Sequence, residues 1–85
     1  MTENDYPTWA QVSTVDTLAR LVELAADALD VIVDPADRSD LHDILRGAER
    51  LMLLVDGHDS WIDLALAFDA ESAAFIRHAL TRRLA

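Results

Sequence analysis

Four residues, Pro7, Pro35, Gly47 and Gly57, are the only prolines and glycines in the chain. Everything between and beyond them is free to be helix. Strand signals, meaning runs of β-branched and aromatic residues alternating with polar ones, are nearly absent. Such a chain is constrained to helices joined at a few breaks. With 52% hydrophobic residues, rich in Leu and Ala, it is expected to fold rather than stay disordered. Its 85 residues suit a single domain. A chain this short buries only roughly 60–65% of its unfolded surface, so self-association would help to stabilise it.

The breaks and caps predict the elements. Residues 1–12 read as an extended arm whose Tyr6 and Trp9 rings are expected to fold back onto the core, because large rings are costly to leave in water. "STVD" resembles a capping box at Ser13, so the first helix is placed at about 13–34, ending before Pro35. A second helix, about 38–56, starts from Asp37 or Ser39 and stops at Gly57. Its core face is Leu41, Ile44, Leu45, Ala48, Leu51, Met52 and Val55. Gly47 falls on the polar flank, where it is either incidental or a close approach. "SWID" opens a third segment at Ser60. A single helix there would carry Asp69 on its apolar face, so a break is preferred, with helices at about 60–68 and 70–84 that could instead be continuous. The expected fold is all-α: a small antiparallel bundle of three to four helices, spanning 13–85, with an extended N-terminal arm.

Charge narrows the function. Sixteen acidic residues face seven arginines, with no lysine. Residues 1–43 hold ten acids and two arginines, a net of −8, whereas 44–85 hold six acids and five arginines, a net of −1. Direct binding to nucleic acid or to an anionic membrane would need the opposite sign. The N-terminus "MTENDYPTW" is unlike a signal peptide, and the apolar runs are too short to span a membrane. The expected location is the cytoplasm.

Within the acidic half, "DALDVIVDPADRSDLHD" sets aspartates at 27, 30, 34, 37, 40 and 43. Asp37, Asp40 and Asp43 open the second helix, where the dipole stabilises an anion by about 0.3–1 kcal/mol. Asp27, Asp30 and Asp34 fall in the last turns of the first, the unfavourable end. With Asp16, Arg20 and Glu23 they form one stripe about 80° wide. Folding therefore accounts for only half of the row. The other half suits an acidic ridge, Glu23, Asp27, Asp30, Asp34, Asp37 and Asp40, that engages a basic protein surface. Carboxylates about 5–6 Å apart resemble neighbouring phosphates in scale, so the partner could be a nucleic-acid-binding protein. Nucleic-acid mimics, antitoxins, immunity proteins and phage inhibitors share this size and charge. The competing view treats the acids as a solvated face and the apolar surplus of the first helix as the functional surface. Leu24 and Val31 border the stripe and suit a homodimer or an adaptor helix.

Catalytic constellations lack parts. Without cysteine, lysine or a glycine-rich loop there is no thiol catalysis, Schiff base or phosphate cradle. His42, His58 and His78 match no zinc spacing. The pairs Asp27/Asp30 and Asp40/Asp43 leave a magnesium-dependent helical nucleotide hydrolase as the enzymatic alternative. The carboxylates are expected to diverge over an open surface. No catalytic residue, metal or cofactor is expected.

Overall fold

The computed structural model describes residues 9–55 and 59–84, folded as a three-helix bundle with no strand among them. The helices are α1 (Trp9–Val31), α2 (Pro35–Leu53) and α3 (Asp59–Leu84). α1 packs more extensively against α2 and α3 than they do against each other.

α1 is already helical at Trp9, four residues before Ser13. Gln11, Thr14, Leu18, Leu21, Ala25 and Ala28 are its buried residues, so the inward stripe runs on through the "STVD" segment. The hydroxyls there are used inside the helix: Thr14 Oγ1 donates to the Ala10 carbonyl at 2.7 Å and Thr17 Oγ1 to that of Ser13 at 3.0 Å. Residues 9–12 are therefore helix and not arm. Trp9 does not fold back, being 84% exposed. Tyr6, the rest of the expected arm and the Gly57 stop lie outside the described residues.

The turn between α1 and α2 is where prediction and structure differ most. Asp34 is not the last residue of the first helix. Its backbone is extended (φ −62°, ψ 123°), as a residue before proline prefers, and it caps α2 with its carboxylate accepting from the Asp37 amide at 3.0 Å. Pro35 occupies the first turn, where its missing N–H costs nothing. Neither Asp37 nor Ser39 is the cap, and both lie inside the helix. The exposed end of α1 is closed by Arg38, whose Nη1 donates to the carbonyls of Leu29 and, at 2.9 Å, of Ile32. A cation nine residues downstream thus meets the negative end of the α1 dipole.

α3 is a single helix. Asp69 is half-buried in its interior and starts nothing. With neither glycine nor proline between 59 and 84, the buried series Trp61, Ala65, Ser72, Ile76 and Ala79 continues past Asp69. Asp69 lies at the margin of that face, and a break there would sacrifice helix hydrogen bonds for one cap.

Two apolar clusters make the core. Leu21, Ala25, Leu41, Ile44 and Ile76 belong to one, and Leu18, Trp61 and Ala65 to the other. Phe68 packs against both. Gly47 is a close approach: a Cβ there would stand 2.6 Å from Phe68 Cζ. Trp61 Nε1 donates to the Leu51 carbonyl at 3.1 Å, so the ring is buried without stranding its polar group.

Candidate interaction surface

α1 turns its acidic residues outward because its core stripe occupies the opposite side. Asp16 is paired with Arg20 at 2.7 Å, one helical turn away. Glu23, Asp27 and Asp30 are exposed and make no ion pair or hydrogen bond through their side chains. Spacings of four and three residues set their Cβ atoms about 5–6 Å apart. Together they form an uncompensated anionic strip.

The rest of the aspartate row has other work. Asp34 is the α2 cap. Asp37 is half-buried, its Oδ1 accepting from Arg82 Nη2 at 3.0 Å and so tying the first turn of α2 to the last turns of α3. Asp40 and Asp43 are exposed on α2. The row is therefore not one straight ridge: it bends at the α1–α2 turn and splits into an α1 strip and an α2 group.

Leu24 is half-buried against the main cluster and so is not wholly surplus, while Val31 is 39% exposed. Val33 and Leu53, not singled out in the sequence, are 87 and 85% exposed. The roles of Arg38 and Arg82 were also missed. Both act across elements, which helical periodicity cannot report.

Two surface clefts bear on the chemistry. An open depression of about 430 Å³ is lined by Ile32, Val33, Asp34, Asp37, Ala79 and Arg82. Its polar groups already bond one another. A second, of about 220 Å³, lies between α1 and α3, with Arg20, Leu24, Asp69, Ala73 and Arg77 on its walls. Among the described residues no group of three His, Asp or Glu side chains is gathered as a metal would require. His42 and His78 are exposed, and His58 lies outside the described residues. No described helix is long and apolar enough to cross a membrane. Comparison with protein families, with characterised proteins and with solved structures finds no match to this chain.

Proposed function

We propose that the protein is a non-enzymatic interaction module that presents the acidic face of α1 to a basic surface of a partner protein, one shaped to hold nucleic acid. The observation that carries this is the absence of internal neutralisation. Glu23, Asp27 and Asp30 stand unpaired while Arg20, Arg38 and Arg82 are each engaged elsewhere. Exposed like charges three and four residues apart cost the helix a few tenths of a kcal/mol per pair. A basic partner offsets that cost and neutralises the strip. Exposed Asp40 extends the surface onto α2, and Asp34 and Asp37 border it.

The bundle that carries this face runs antiparallel from helix to helix. Residues 32–34 leave room only for a tight reversal between α1 and α2. The Trp61–Leu51 and Arg82–Asp37 bonds support opposite directions for α2 and α3. Such a frame holds the strip straight.

The test pairs wild type with a Glu23→Gln, Asp30→Asn variant as baits in extracts of the native host, with captured proteins identified by mass spectrometry. A basic protein held by wild type, lost from the variant and released as salt approaches about 0.5 M supports the proposal. Equal capture by both baits overturns it.

A further inference from the structure

Beside the outward strip, the side of α1 toward α3 carries Thr17, Arg20 and Leu24, and exposed Asp27 lies three residues beyond Leu24 at the edge of the strip. The cleft between α1 and α3 sets Arg20 and Leu24 beside Asp69, Ala73 and Arg77. Asp69 is half-buried and Arg77 exposed, and neither side chain makes an ion pair within the chain.

The charges on this face are arranged symmetrically about its middle. On α1, Arg20 and Asp27 stand four and three residues to either side of Leu24. On α3, Asp69 and Arg77 stand four residues to either side of Ala73. In each case the two flanks have opposite sign. We infer that the α1–α3 face is a homodimer interface whose occupant is a second copy of this chain. A two-fold axis perpendicular to the helices, at the level of Leu24 and Ala73, sets Arg20 against Asp27 of the second copy and Asp69 against its Arg77. Each contact occurs twice, as an isologous interface requires. Half-buried Leu24 meets its own counterpart on the axis, while Ala73, 7% exposed, lines the cleft at that level. Leu66, 44% exposed, and half-buried Leu80 lie seven residues to either side of Ala73 and meet each other. The surface Arg20–Asp16 pair is weak enough to share its guanidinium. Glu23 and Asp30 lie roughly 100–120° around α1 from Leu24 and stay accessible at the rim. In the dimer Asp27 leaves the outward strip, and Glu23 and Asp30 remain for the partner proposed above.

Sedimentation equilibrium of the full chain at micromolar concentration and neutral pH tests it. Wild type should show twice the 9.4 kDa chain mass. Arg20→Glu and Asp27→Arg, both at exposed positions, should each raise the dimer dissociation constant by at least about tenfold, since two attractions become two repulsions. The double variant Arg20→Glu, Asp27→Arg should return it to within about threefold of wild type. Circular dichroism confirms that each variant is folded. A wild type that stays monomeric up to millimolar concentration overturns the inference. A dimer indifferent to both reversals, or a double variant as weak as either single one, does so equally. No other protein is present, so each of these outcomes leaves the ridge proposal standing.

Discussion

Asp34 shows how far one residue's role depends on its neighbour. As the last charge of α1 it would be a liability, and its neutralisation would stabilise the protein. As the α2 cap, accepting from the Asp37 amide, it is an asset. Asp34→Ala should therefore lower unfolding free energy by about 1 kcal/mol. Asp30→Asn removes repulsion near the negative end of the dipole and should hold stability or raise it by a few tenths of a kcal/mol. Urea titration of both variants near neutral pH separates the two roles. A stabilised Asp34→Ala protein would return that residue to the ridge. Gly47 makes a related point, because its missing side chain is what admits the Phe68 ring.

At the scale of the element, α3 offers the sharpest discrimination. Asp69 followed by Ala70 reads as a cap and first helical residue, the reading the sequence prefers, or as two interior positions. Ala70→Pro separates them. Proline is tolerated at the first position of a new helix but removes a hydrogen bond and clashes within a continuous one. Ala70 is exposed, so no packing effect confuses the result. A loss of about 3 kcal/mol or more is expected from thermal or urea unfolding. A near-neutral outcome would mean that α3 is interrupted at Asp69. The same logic applies to α1, whose helical course through residues 9–12 goes with the inward placement of Gln11 and Thr14.

At the scale of the molecule, the two apolar clusters are joined through Phe68, and the helix ends are tied by Arg38, Trp61 and Arg82. The bundle should unfold as one unit. Transitions followed by far-UV circular dichroism and by tryptophan fluorescence should coincide. Leu41→Ala, at a fully buried position in one cluster, should cost about 2–5 kcal/mol and shift both probes together. Separated transitions would mean that the Leu18–Trp61–Ala65 end melts independently. The acidic face belongs to this scale too, since Arg38 and Arg82 are drawn to the end of α1 and to Asp37 and not to the strip.

By itself the sequence determined the all-helical class, the inward faces and the outward turn of Glu23, Asp27 and Asp30. These follow from a period of 3.6 residues and from scarce breakers, which are local properties. Leu41, Ile44 and Ala48 were legible as core for that reason. Only the tertiary structure decided the helical state of residues 9–12, the cap role of Asp34, the continuity of α3 and the tasks of Arg38 and Arg82. Each turns on a competition between a local motif and a contact made across elements. "STVD" and Asp69 are plausible caps in isolation. The buried stripes passing through or beside them outweigh a single capping bond, because ending the helix would strip several residues of both burial and hydrogen bonds.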